Sequence, residues 1–345
     1  MMSGNHGPLL EVDGLRTEFH LRQGTLPAVD DVSLRLDEGE TLAVVGESGS
    51  GKSSLALSVM RLHPEPPCVY ANGSIRLDGR DLLQVPERDL RRVRGGEIAM
   101  IFQDPMTSLN PVRTVGRQIA EAVRAHRSIG RSEAMRAAVD ALGEVGIPSP
   151  DRRVHDYPHQ YSGGMRQRAM IAMALACRPR VLLADEPTTA LDVTIQAQVM
   201  ELLADLQNRH GTAIMLVTHD LGIVAQAADR VLVMYAGRAV ETGSVDQVFD
   251  ESLMPYTWSL MQSTPRMDAA DGETLLPIGG VPPNLLDPPD GCPFHPRCPF
   301  VREQCRSFVP PLVVRDADHA AACVLDQEEV LREQRAARAQ MEEST

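Results

Sequence analysis

The 345-residue chain carries 34 basic and 47 acidic residues, a net charge of −13 that disfavours non-specific binding to nucleic acid or anionic lipid. No apolar run approaches the roughly 18–20 residues that span a bilayer, and Met1 to Pro8 lacks the basic-then-apolar pattern of a signal peptide. The expectation is a cytoplasmic chain with room for one large or two smaller domains, whose 6 cysteines are free thiols or metal ligands rather than disulfides.

Leu9 to Phe19 reads as a strand and Val29 to Leu36 as a second, with Gly24 and Pro27 suited to the hairpin between them. Phe19 can stack on a base or pack in the sheet, and both readings stay open. After the turn Asp37-Glu38-Gly39-Glu40 comes the apolar run Thr41 to Val45. It leads into Gly46-Glu47-Ser48-Gly49-Ser50-Gly51-Lys52-Ser53 and then a helical run from Ser54 to Met60. Strand, glycine-rich turn and helix in that order make a phosphate-binding loop, to which Ser54 is added as the first helical residue. Glycines 46, 49 and 51 let backbone N–H groups face phosphate oxygens, and the helix start adds partial positive charge. Lys52 can reach the β- and γ-phosphates, and Ser53 is a natural Mg²⁺ ligand. Lys52 is also the sole lysine among 34 basic residues, held where a compact ammonium is wanted rather than a planar fork. The site binds a nucleotide.

Short strands follow at Ser74 to Leu77 and Glu97 to Phe102, the second running into Gln103-Asp104-Pro105. Leu109 to Ile147 carries helical periodicity, with Ile119, Val123, Val139, Leu142 and Val145 as candidate core, and reads as an inserted helical subdomain. Tyr161-Ser162-Gly163-Gly164-Met165-Arg166-Gln167-Arg168 then opens an apolar helix through Cys177. Ser-Gly-Gly at a helix start offers N–H groups and a hydroxyl to an anion, although many helices begin so merely as caps. Val181 to Ala184 is a buried strand ending in Asp185-Glu186, where an α/β protein places ligand contacts. Asp185 suits Mg²⁺, and Glu186 can polarise a water for attack on the γ-phosphate. Ala190-Leu191-Asp192 precedes a helix from Thr194 to about Arg209. Ala213 to Val217 is a further strand, ending in Thr218-His219-Asp220 with His219 placed for a γ-phosphate contact. Val231 to Met234 and Arg238 to Glu241 form a hairpin through Ala236-Gly237 that closes the nucleotide domain.

Beyond Phe249 the composition changes. Pro277 to Pro299 holds eight prolines and too few apolar residues for a core of its own. Cys292, Cys298, Cys305 and Cys323 follow the spacing C-x5-C-x6-C-x17-C. A metal staple is the reading, since its binding energy substitutes for burial. The spacing matches neither the usual zinc pairs nor the common ferredoxin runs, so it leaves the metal unnamed. Four reduced cysteines in a loop is the alternative. Cys68 and Cys177 are isolated, the latter in an apolar helix and expected in the core. Asp326 to Thr345 reads as a solvated helix or frayed tail.

Phosphate loop, Gln103, Ser162-Gly163-Gly164, Asp185-Glu186, Asp192 and His219, in this order and spacing, resemble the ATP-binding subunit of ABC transporters. Tyr161 and Met165 depart from its usual signature as the peptide importers do. Pro255-Tyr256-Thr257, Thr264-Pro265-Arg266 and the Gly279 to Cys298 region are similar to the C-terminal extension of oligopeptide and dipeptide importer ATPases, in particular the first of their two ATPase subunits.

The resemblance implies an α/β fold. Its parts are a P-loop NTPase (RecA-like) core with an antiparallel β subdomain and an inserted helical subdomain (about 105–165), plus a small irregular cysteine-rich C-terminal extension. The corresponding boundaries are 8–250 for the ATPase domain, 251–325 for the extension and 326–345 for a charged tail. It implies ATP hydrolysis with Glu186 as base, Mg²⁺ near Ser53, Gln103 and Asp185, and His219 on the γ-phosphate. Ser162, Gly163 and Gly164 would serve the ATP of a second, homologous ATPase subunit paired head to tail, with Asp192 communicating across. Two membrane permease subunits and an extracytoplasmic solute-binding protein complete the expected complex, with this chain peripheral on the cytoplasmic face. The resemblance favours a [4Fe–4S] cluster on the four cysteines, with zinc next and His295 as a spare ligand. A nickel or other small-solute importer keeps the same motor role. A soluble ABC ATPase acting on nucleic acid or ribosomes is disfavoured by the acidic charge, the single nucleotide domain and the lack of an inserted coiled coil.

Overall fold

The computed structural model describes residues 7–104, 108–189, 192–264 and 277–342. Pro105, Ala190, Leu191, Pro265 and Arg266, named above, lie outside them. The first elements are β1 (Leu10–Leu21), β2 (Gly24–Leu36), β3 (Thr41–Val45), α1 (Lys52–Val59), β4 (Cys68–Leu77), β5 (Arg80–Asp81) and α2 (Glu87–Val93). Next come β6 (Ile98–Ile101), α3 (Val115–His126), α4 (Arg131–Glu144), α5 (Gly163–Leu175), β7 (Val181–Asp185), α6 (Val193–His210) and β8 (Ala213–Val217). The chain continues with α7 (Leu221–Ala227), β9 (Arg230–Tyr235), β10 (Arg238–Ser244), α8 (Val245–Asp250), α9 (Pro255–Gln262), β11 (Val313–Asp316), β12 (His319–Ala321) and α10 (Gln327–Glu342). They sort into two compact units.

The first unit comprises Met1–Leu10, Arg35–Thr41 and Arg76–Val217. In it β6, β7 and β8 run parallel, with Ile98 opposite Val181 and Asp185 opposite Val217. Every residue of the three strands is buried, which is why they read as unbroken apolar runs rather than alternating ones. Helices α3 and α4 bury Ile119, Val123, Ala134, Ala138 and Leu142 at helical spacing. Val139 is an exception to the expected core: it is only half-buried and lines an open groove with Arg136 and Asp140. Cys177 likewise falls beyond the end of α5 and is half-buried, because the helix stops at Leu175.

The second unit comprises Glu11–Leu34, Leu42–Ile75 and Thr218–Thr345. Strand β1 lies between β2 and β4. The β1–β2 turn is shorter than expected: β1 reaches Leu21 and β2 begins at Gly24, leaving Arg22-Gln23 as the connection. Pro27 thus sits inside β2, which its edge position permits, since no neighbour needs the missing N–H there.

Strand β3 pairs in parallel with β9, Val45 opposite Val233. The β9–β10 hairpin turns through Ala236 and Gly237 as expected, both at positive φ (52° and 79°). It does not close the sheet. β10 pairs on with β12, and β12 with β11, so the C-terminal segment contributes two further antiparallel strands.

That segment also finds an apolar core by sharing one. Phe294, Cys292 and Cys305 pack with Val231, Val233, Tyr235, Val240 and Tyr256. The rings of Tyr235, Tyr256 and Phe294 meet at centroid distances of 4.5–5.3 Å. The stretch, expected to lack a core of its own, is supplied with one by burial against α9 and the β9–β10 hairpin. The tail is docked rather than solvated: Val330 is fully buried on α10, and the Gln334 amide donates to the Ser252 carbonyl at 2.8 Å.

Candidate functional site

In the second unit the chain leaves β3 at Val45 and wraps the loop before α1. Gly46 and Gly51 are there for space as well as dihedral freedom. A β-carbon would lie 2.2 Å from the Met234 carbonyl at Gly46 and 2.4 Å from the Ala28 carbonyl at Gly51. Their φ values, 147° and 103°, are also ones that side chains rarely permit. Loop and sheet are tied together, since Gly237 N–H donates to the Ser50 carbonyl at 2.9 Å.

Lys52 is 6% exposed and its ammonium donates to the carbonyls of Gly46 (2.8 Å) and Glu47 (2.9 Å). These two carbonyls hold the cation over the loop, where a phosphate oxygen would be a strong, charged acceptor. Ser53 is exposed at the start of α1. Phe19, half-buried on β1, meets His63 edge to face at 5.0 Å. Burial pushes His63 below the usual histidine range, while its Nε2–H donates to the Ser54 carbonyl at 3.1 Å. His219 follows buried Thr218 and is exposed.

In the first unit β7 delivers Asp185, 6% exposed, and then Glu186. Gln103, just past β6, donates its amide to Glu186 Oε2 at 2.6 Å, and Thr189 donates its hydroxyl to the same oxygen at 2.8 Å. Two donors thus fix one carboxylate oxygen in place. The arrangement suits the activation of a water molecule.

Ser162 caps α5, its hydroxyl accepting from Met165 N–H at 3.3 Å. Ser162 and Gly163 are exposed and Gly164 is half-buried. The buried Gln167 amide reaches back from this helix to the Pro187 carbonyl. Asp192 caps α6 by accepting from Ile195 N–H at 3.0 Å.

The family model described as ABC transporter matches residues 29–189, and the one described as oligopeptide/dipeptide transporter, C-terminal region, matches 240–305. A probable peptide ABC transporter ATP-binding protein of Sinorhizobium fredii, y4tR, is 52% identical over 315 residues, 91% of this chain and 94% of that one. The chain belongs to the ABC transporter family.

The oligopeptide transport ATP-binding protein OppD of Bacillus subtilis is 51% identical over 304 residues, 88% of this chain and 85% of its own. Among solved structures, a post-hydrolysis state of the cassette MJ0796 bound to ADP and Pi matches with a TM-score of 0.62 at 25% identity. It covers 68% of this chain and 98% of that one. This ABC ATPase therefore carries the cassette fold with mixed sheets.

Thr189 and Gln167 were missed from sequence, as were Tyr256 and Arg297 as neighbours of the loop. Thr189 lies three residues past Glu186, a spacing that would have found it. Nothing short-range signals the others.

Cys292, Cys298, Cys305 and Cys323 line one apolar cavity with Phe294, His295 and Phe300, as the spacing alone could not show. The space between them holds about one water molecule. Burial pushes the Cys292 thiol upward, Cys298 to about 12 and Cys323 to about 11. Among the described residues, no three His, Cys, Asp or Glu side chains stand arranged to hold a metal ion. The thiols share a cavity without being gathered around a point.

Proposed function

We infer that this chain is the ATP-hydrolysing subunit of a peptide importer. The observation that carries the hydrolytic half is the Gln103–Glu186–Thr189 constellation, with both donors on Glu186 Oε2. Peptide cargo is supported by the relatives' printed names and by the matching C-terminal region. Lys52 and the loop N–H groups bind the phosphates, Glu186 takes the proton of the attacking water, and His219 contacts the γ-phosphate. Ser53, Gln103 and Asp185 would hold the Mg²⁺ that neutralises triphosphate charge. Phe19 offers a ring for adenine. Ser162, Gly163, Gly164 and Asp192 face a second, homologous ATPase subunit paired head to tail. Two permease subunits, and through them a solute-binding protein, complete the assembly, so the chain works on the cytoplasmic face of a membrane it does not enter.

In the assembled transporter, Glu186→Gln is expected to keep ATP binding while turnover falls about 10²–10⁴-fold, and uptake of a labelled tripeptide falls with it. Undiminished turnover would remove Glu186 as base. Uptake of nickel but not peptide would keep the motor and change the cargo.

A metal on the four cysteines belongs to the same reading. Four thiols lining one cavity are the donor set of a [4Fe–4S] cluster. Zinc is the second reading, favoured by the water-sized space, which a single ion fills. Anaerobic purification followed by iron, sulfide and zinc assays decides between them. About four irons and four sulfides per chain support the cluster, one zinc supports the second reading, and neither metal leaves four thiols in an apolar core.

A further inference from the structure

We propose that Arg297 and Tyr256 of the C-terminal extension are positioning residues for nucleotide binding, acting by clamping Glu47 of the phosphate loop. The proposal rests on that loop being the nucleotide site. Glu47 is held at three points. Its N–H donates to the Tyr256 hydroxyl at 2.8 Å, its carbonyl accepts from Lys52, and its carboxylate takes both arms of the Arg297 guanidinium at 2.6 and 2.8 Å. These partners lie 209 and 250 positions away in the chain.

Arg297 is itself fixed. Its side chain is 4% exposed, its Nε donates to the Gly279 carbonyl at 2.8 Å and one Nη to the Tyr235 hydroxyl at 3.2 Å. Its guanidinium lies 5.9 Å from the Tyr235 ring centre and 6.0 Å from that of Phe294. A planar fork held this way imposes an orientation on the carboxylate that a flexible ammonium could not.

The electrostatic need is plain. A loop that gathers N–H groups and one lysine for a polyanion carries a carboxylate as its second residue. Unpaired, that carboxylate would repel the phosphates or compete with them for Lys52 and the loop amides. Paired to Arg297 it is neutralised and turned away, and its backbone stays in register with Lys52. The extension thus completes a phosphate loop that lies 209 and 250 positions earlier than the two residues that clamp it.

The test is MgADP affinity of the full chain, measured by calorimetry alongside thermal unfolding, for the parent, R297M, R297K, E47Q, E47Q/R297M and Y256F. R297M is expected to weaken MgADP by about tenfold or more, and R297K to fall between it and the parent. E47Q/R297M should recover most of the loss, since no unpaired carboxylate remains; a purely structural role for Arg297 would give no such rescue. A folded R297M that binds like the parent overturns the clamp, as does a double variant as weak as R297M. Should R297M fail to fold, Y256F decides: a several-fold loss sustains the clamp and parental affinity overturns it. A parent chain that does not bind MgADP overturns the nucleotide reading and the clamp together.

Discussion

Glu186 holds a left-handed backbone, φ 47°, which a residue with a β-carbon adopts at a cost of about 1–3 kcal/mol. The strain is sustained because its N–H donates to the Val217 carbonyl at 2.9 Å and its carboxylate is pinned by Gln103 and Thr189. Its neighbour by role, the phosphate loop, is followed closely by a titrating group. Burial lowers the His63 pKa, so the folded chain holds its imidazole neutral where the unfolded chain would protonate it. As pH falls below about 6.5 the unfolded state binds the proton first, and stability that was whole above that pH is lost. Urea unfolding at pH 7 and pH 5 should therefore show the parent losing more stability on acidification than His63→Gln; equal losses would free His63 from this role. Residues such as Lys52, Glu186 and Gln103 were legible because each sits at a fixed offset from a glycine turn or a strand end. Val139 misled for the opposite reason, since helical spacing places a residue on a face without saying what covers that face.

Among the elements, β10 and β12 are joined by more than their ladder. Glu241 is fully buried on β10, and its carboxylate accepts from the backbone N–H groups of Leu253 (2.6 Å) and Met254 (3.1 Å) and from His319 Nε2 (2.8 Å) on β12. One side chain thus fastens the segment entering α9 and the strand between Cys305 and Cys323. Glu241→Ala leaves two buried N–H donors and a buried imidazole without an acceptor, and is expected to cost about 3–5 kcal/mol. Chemical denaturation measures this, and a loss below about 1 kcal/mol would show water replacing the carboxylate. The strands β6, β7 and β8 could be read directly, because burial on both faces writes an apolar run into each. By contrast β11 and β12 span four and three residues, and the pairing of β12 with β10, Glu241 opposite Ala321, closes a loop of some 80 residues. No local pattern encodes such a partner. The same reasoning explains α10, whose charged composition hid the buried positions Val330 and Gln334.

Across the whole molecule, the family and its motor role came out of the sequence, whereas the division of labour between its segments did not. The extension looked like a proline-rich appendix needing metal to fold, yet it shares an aromatic core with the β9–β10 hairpin and reaches the phosphate loop through Arg297 and Tyr256. Sequence reasoning counts apolar residues per segment, so it misses a segment that borrows its core from residues fifty positions upstream. That arrangement has a consequence for how the protein is made. A ribosome adding roughly 5–20 residues per second takes roughly 12–50 s to travel the 250 positions from Glu47 to Arg297. Throughout that interval the nascent loop exists with its carboxylate uncompensated. The growing chain acquires full nucleotide affinity late in synthesis, and a fragment released before Arg297 is a weak competitor for the cell's ATP.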